Sequence, residues 1–166
     1  MGSDLAKRVE ALEERLKVLE AERGILSTLY TYAHTIDFGL KDDWLDCFTE
    51  DAVYKVQLFG DTLPNIMVPQ PPEGIKGREI LSQYIHNHTN APELWHKHCL
   101  IEPIIKLEGD NKASVESYFA RVDEDDKGAY IMSVGRYSDK LVKSPDGKWR
   151  FKERYCNIES RLPTRG

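Results

Sequence analysis

The chain has 166 residues, 40% hydrophobic and 31% charged, the composition of one globular domain rather than of a disordered segment. Its formal net charge of −5 argues against a broad basic face for nucleic acid or anionic lipid, and no apolar run approaches the roughly 20 residues of a membrane span. Three cysteines form no CxxC pair, and the charged N-terminus lacks the apolar centre of a signal peptide, so a cytoplasmic protein without a disulfide framework is expected.

Residues 4 to 23 read as a helix. Leu5, Val9, Leu12, Leu16 and Leu19 follow a 4, 3, 4, 3 spacing, the apolar seam of a heptad. Two heptads are few for an autonomous coiled coil, which points to an arm packed on its own domain or on a neighbouring subunit. The pattern continues with Ile25, Leu29, Tyr32 and Ile36. Gly24 costs about 1 kcal/mol inside a helix and marks an expected kink or break. Gly39 is placed to end this helix.

A short helix over 41–48 carries Trp44, Leu45 and Phe48 on one side, and residues 52–59 read as a strand. Residues 60–76 hold four of the eight prolines, a segment suited to a lid over a site. A helix over 77–88 follows. Residues 96–107, 113–122, 129–142 and 148–160 read as strands separated by Gly-containing turns. Helices first and hairpin-linked strands after them give an α+β fold, with N-terminal helices packed on the concave face of a curved, cone-shaped antiparallel sheet. The expected organisation is an N-terminal helical arm (1–23), one α+β domain (24–160) and a C-terminal tail (161–166).

Five histidines could carry chemistry: His34, His86, His88, His96 and His98. His96 and His98 lie two apart on a strand and share a face. A metal site would need a third ligand, and Glu102 stands four residues from His98, too far to close one easily. His86 and His88 lie i,i+2 on a helix and point apart, so no metal is expected, and the roles of His86, His88 and His96 stay open. General acid–base chemistry needs instead a carboxylate to fix a histidine tautomer. Asp37 suits that role, because it ends an apolar helical face where a carboxylate is costly unless paired. The alternative is a helix-ending Asp bonded to its own loop. Tyr32 lies about 140° from Asp37 around the helix, so the two can border one cavity only across the helix end.

The run Ile25-x3-Leu29-x2-Tyr32-x4-Asp37-x6-Trp44-x3-Phe48-Thr49-Glu50-Asp51-Ala52 resembles the opening of SnoaL-like proteins, in the cystatin-like cone superfamily of nuclear transport factor two. Gly77-x-Glu79-Ile80, His98-x4-Pro103-x-Ile105-x3-Gly109-Asp110, Gly135-x-Tyr137-x-Asp139 and Gly147-Lys148-Trp149-Arg150-Phe151-x2-Arg154 extend the resemblance over residues 24–160 in the right order. Among its members the pattern is similar to scytalone dehydratase, lindane dehydrochlorinase and the bile acid 7-alpha-dehydratases, which are cofactor-free lyases with an Asp–His dyad.

That resemblance implies Asp37 and His98 as the dyad, Tyr32 as a hydrogen-bond donor to substrate, no cofactor and a small hydrophobic or aromatic substrate. It implies a cone lined by Trp44, Tyr54, Phe119 and Tyr155. On the last strand Asn157 stands where the bile acid enzymes carry an arginine, and could hydrogen-bond a neutral hydroxyl or carbonyl. Family members are commonly dimers or trimers, so a homo-oligomer is expected. Two alternatives remain within the same fold. One is a non-catalytic ligand-binding module or structural subunit, like the small subunit of ring-hydroxylating dioxygenases. The other is a ketosteroid-isomerase-like enzyme whose base is a carboxylate.

Overall fold

The structure, a computed structural model, describes residues 2–163, with side chains from residue 4 onward. Met1 of the expected arm and residues 164–166 of the expected tail lie outside the described residues. One helix, α1 (Gly2–Phe38), carries both N-terminal apolar patterns. No break occurs at Gly24, because its role is one of packing: a Cβ there would stand 2.7 Å from Trp149 Cδ1. The absent side chain lets α1 lie against Trp149, and Thr28 Oγ1 donates 2.6 Å to the Trp149 carbonyl one turn later. Beyond Gly24 the helix buries Ile25, Leu29, Tyr32 and Ile36, each at most 1% exposed. It stops at Gly39, whose φ of +68° is a left-handed conformation that glycine adopts without strain.

A second helix, α2 (Lys41–Asp46), leads into the long strand β1 (Phe48–Leu58). Two short strands, β2 (Asp61–Thr62) and β3 (Ile75–Lys76), bracket the proline-rich segment and pair with β1. Helix α3 (Arg78–Asn87) precedes four long strands: β4 (His96–Leu107), β5 (Lys112–Asp125), β6 (Gly128–Lys143) and β7 (Trp149–Ile158). The sheet order is β2-β1-β7-β6-β5-β4, with β3 also on β1. Every pair is antiparallel except β1–β7, so the sheet is mixed where a purely antiparallel one was expected. More than half of the chain lies between the end of β1 at Leu58 and the start of β7 at Trp149, so no hairpin constrains their direction. Register shifts in β4, β5–β6 and β6–β7 mark bulges. Bulges bend strands and increase their twist, which suits a curled sheet.

The core fills the space between α1 and this sheet. Trp44, Phe48 and Phe151 meet there, with ring centroids 4.6 Å apart for Trp44–Phe48 and 5.3 Å for Phe48–Phe151. Burying each such ring contributes about 1.5–3 kcal/mol. One charged pair sits among them: Arg154 donates to Asp139 at 2.8 Å from the paired position on β6. Among the described residues, no helix is long and apolar enough to cross a membrane.

Candidate functional site

The end of α1 meets the start of β4. Asp37 sits on the last turn of the helix and is 3% exposed. The carboxylate accepts 2.6 Å from His98 Nδ1 to Oδ1, and the His98 backbone N–H donates to both oxygens at 3.1 and 3.2 Å. A buried carboxylate with that many donors is held in one orientation. It also fixes the imidazole: Nδ1–H faces Asp37, which leaves Nε2 as the nitrogen free for a ligand. The ring itself lines a cavity of about 290 Å³.

Two further histidines flank the pair. His96 shares the inward face of β4 and turns Nε2 to 3.5 Å from Asp37 Oδ1. That approach falls short of hydrogen-bond geometry, and both ring nitrogens of His96 are buried without a partner. His88 follows α3 with extended backbone (ψ 130°), so its side chain leaves the helical face and turns inward. Its ring centroid lies 6.0 Å from that of His98 and 5.4 Å from that of His96. Burial, seconded by His98 and Arg121, pushes His88 down to about 3 and His96 down to about 4. Both rings are therefore neutral near pH 7. His86 stays on the exposed side, its Nδ1 within 2.7 Å of the Ser82 carbonyl.

Arg121, paired with His98 across β4–β5, reaches the cavity and grips Asp123 through two bonds of 2.7 and 2.9 Å. Its charge is thereby matched within the protein. Three phenols also line the cavity, Tyr84 lying 6.0 Å from His88 between ring centroids. Tyr32 Oη lies 3.1 Å from Tyr54 Oη, and Tyr54 Oη lies 3.4 Å from Tyr84 Oη. Burial raises all three: Tyr84 to about 12, Tyr54 well above its ordinary value, and Tyr32 despite the Arg154 guanidinium that opposes the rise. They are hydrogen-bond donors, not bases. Phe119 stacks on Tyr137, with centroids 4.6 Å apart, as a flat apolar wall.

The proline-rich segment covers the mouth. Leu63, Asn65, Ile66 and Met67 from it line the cavity. Gln70 pins the segment to β1 by accepting from Val56 N at 2.8 Å and donating to Val56 O at 2.9 Å.

Of the residues expected at the site, Tyr32, Tyr54, Phe119 and His98 line the cavity, and Asp37 stands directly behind His98. Trp44, Tyr155 and Asn157 do not, which corrects the expected lining. Trp44 is wholly buried behind the cavity wall, stacked on Tyr84 at 5.7 Å. On β7 the inward positions are Arg154, Cys156 and Ile158, so Tyr155 and Asn157 fall on the opposite face. Asn157 is engaged there, its Oδ1 accepting from Gly60 N at 2.9 Å and its Nδ2 donating to Glu159 at 2.8 Å. Tyr84, Arg121 and Gln70 were not expected at the site, and His88, whose role the sequence left open, joins them there. The sequence pattern puts His88 on the helix, and it lies just past the end of α3.

Asp37, His96 and His98 also offer one donor atom each within 4.8 Å of one another, so this trio could hold a metal ion. The third ligand is Asp37 rather than Glu102, which a bulge of β4 carries at a φ of +49°. A metal would have to displace the proton that His98 shares with Asp37.

The SnoaL-like domain family matches residues 17–155. The chain belongs to this family. Solved structures agree on the fold. A protein from Novosphingobium aromaticivorans described as NTF2-like, with a cystatin-like fold, is 19% identical, with a TM-score of 0.74 over 89% of this chain and 87% of its own. A candidate scytalone dehydratase from the same organism is 21% identical, with a TM-score of 0.69 over 90% and 93%. The beta subunit of a candidate aromatic-ring-hydroxylating dioxygenase, also from that organism, is 19% identical, with a TM-score of 0.69 over 87% and 92%. No curated protein matches this SnoaL-like chain. Catalytic and structural namesakes thus share one fold, and function must be argued from the site.

Proposed function

We propose that the protein is a cofactor-independent lyase acting on a small, mostly apolar, ring-containing molecule. The observation that carries this reading is the 2.6 Å Asp37–His98 bond with the His98 ring lining an aromatic-walled cavity. A structural subunit needs no oriented imidazole at the wall of such a space.

The chemistry follows from the geometry. His98 Nε2 takes a proton from the carbon next to a ring carbonyl, and the electron pair of that C–H bond moves toward the carbonyl oxygen. The imidazolium formed is stabilised by Asp37, which is already desolvated and aligned. The oxygen that gains charge is served by the Tyr32 and Tyr54 hydroxyls, donors fixed in a water-poor site. The pair then returns to expel a β-hydroxyl, which leaves as water with the proton that His98 had taken. Retro-aldol cleavage uses the same enolate chemistry in another bond order: His98 takes the hydroxyl proton, and the carbon–carbon bond breaks to give the enolate. Both arginines near the cavity are paired, Arg121 with Asp123 and Arg154 with Asp139, which favours a neutral substrate.

A panel of cyclic β-hydroxyketones, followed by ultraviolet absorbance of the enone product, tests the reading. Turnover by the native chain should fall about 10²- to 10⁴-fold in His98→Ala. Chelator should leave the rate unchanged. A His98→Ala variant as active as the native chain would refute the mechanism. Activity lost to chelator and restored by zinc would assign the Asp37, His96, His98 trio to a metal instead.

A further inference from the structure

The first five turns of α1 present an apolar seam to solvent. Leu5, Leu12, Leu16 and Leu19 are between 54% and 63% exposed, and Val9 is 45% exposed. At 3.6 residues per turn, this seam lies about 150° around the helix from the Ile25, Leu29, Tyr32 and Ile36 face that meets the sheet. The arm therefore turns its seam away from its own domain, and a straight helix cannot bring it back.

We infer that a second copy of the chain covers this seam, as a parallel two-stranded coiled coil. The charges beside the seam choose the occupant and its direction. With Leu5, Leu12 and Leu19 at d and Val9 and Leu16 at a, Arg8 and Arg15 fall at g and Glu13 and Glu20 at e. In a parallel pair each g position faces the partner's e position five residues on. Arg8 then meets the partner's Glu13, Arg15 meets the partner's Glu20, and symmetry repeats both. In an antiparallel pair, g faces g and e faces e, setting arginine on arginine and glutamate on glutamate. The pattern is complementary to itself in one orientation only. Leu at every d with Val9 at an a position suits two strands rather than three.

The same side of α1 continues past the arm. Arg23 interrupts the seam, and Leu26 and Tyr30 resume it beside a shallow groove that reaches His34. Tyr30 is half exposed. Two heptads alone are marginal, and this extension lengthens the contact along the body of each protomer. The twofold axis would run along the arms, and no residue of the seam lines the cavity. The inference is independent of the proposed lyase activity.

Sedimentation equilibrium of the full chain at tens of micromolar should give about twice the 19.1 kDa chain mass. Arg8→Glu with Arg15→Glu should weaken the dimer at least tenfold, and so should Glu13→Arg with Glu20→Arg. Mixing the two variants should restore a heterodimer. Leu5→Cys, made with Cys99→Ser to remove the exposed native thiol, should oxidise to a covalent dimer only if the arms run parallel. All these positions are exposed, and an unchanged melting temperature of the domain checks that the fold survives. A monomeric native chain, a trimer, or a dimer indifferent to the charge reversals and to Leu12→Asp would overturn the inference. So would a dimer that Leu5→Cys cannot cross-link.

Discussion

Two carboxylates are almost equally buried in this domain, Asp37 at 3% and Asp139 at 2% exposure, and their surroundings differ in every other respect. Asp139 meets the Arg154 guanidinium, which lies under the rings of Tyr137, Tyr32 and Phe151 at 3.7, 4.0 and 4.5 Å. Those rings close the pair off from the cavity, and arginine does not release its proton. Asp37 instead meets an imidazole, whose far nitrogen is free and whose ring faces a ligand-sized space. Burial of a charge is therefore not in itself a sign of chemistry. On the proposed function, a titratable partner with access to a cavity is what separates the Asp37–His98 pair from a structural strut.

That contrast can be broken at either end. His98→Ala should lower the rate about 10²- to 10⁴-fold at a smaller cost in stability, about 1–3 kcal/mol, because the backbone N–H of residue 98 still donates to Asp37. Arg154→Met should do the reverse, costing about 3–5 kcal/mol of stability by leaving Asp139 buried without its partner, as urea unfolding would measure. Asp37→Asn should slow turnover about 10- to 10²-fold, the worth of a hydrogen bond to a charged group of about 1.5–3 kcal/mol, at little change in substrate affinity. Tyr32→Phe should cost about five- to tenfold in kcat, since Tyr54 remains as a donor.

A separate effect is on acid stability. His88 is held down at about 3 in the fold, against 6.5 for the free ring. The unfolded chain takes up this proton first as pH falls, so the stabilisation from a neutral His88 is complete above about 6.5 and lost progressively toward 3. In His88→Gln the decline of melting temperature between pH 6.5 and 4 should be shallower. An unchanged slope would place the acid sensitivity elsewhere.

Much of the fold is legible in the sequence because it is written in local periodicity and turns. The four long strands, α3 and the end of α1 at Gly39 all follow from patterns within a few residues. The Asp37–His98 pairing is also suggested, by a costly carboxylate on an apolar face and by the spacing of the SnoaL-like pattern. What escaped depends on contacts between distant segments. Gly24 reads as a helix breaker until Trp149 is seen against it. Tyr155 and Asn157 agree with each other in face, but which face of β7 looks inward is set by register with β1 and β6, and a one-residue difference moves every side chain across the sheet. Trp44 reads as a lining residue because aromatic rings suit both walls and cores. Only the Tyr54–Tyr84 layer in front of it decides between them.

The central claim is that Asp37 holds the neutral His98 ring with its proton on Nδ1 and Nε2 free for the cavity. Nitrogen-edited NMR of the ligand-free protein reads this directly. The neutral His98 ring should show a protonated Nδ1 with a low-field proton signal and a bare Nε2, and Asp37→Asn should move that signal upfield. A neutral ring protonated at Nε2, unaffected by Asp37→Asn, would leave no base facing the cavity and contradict the account.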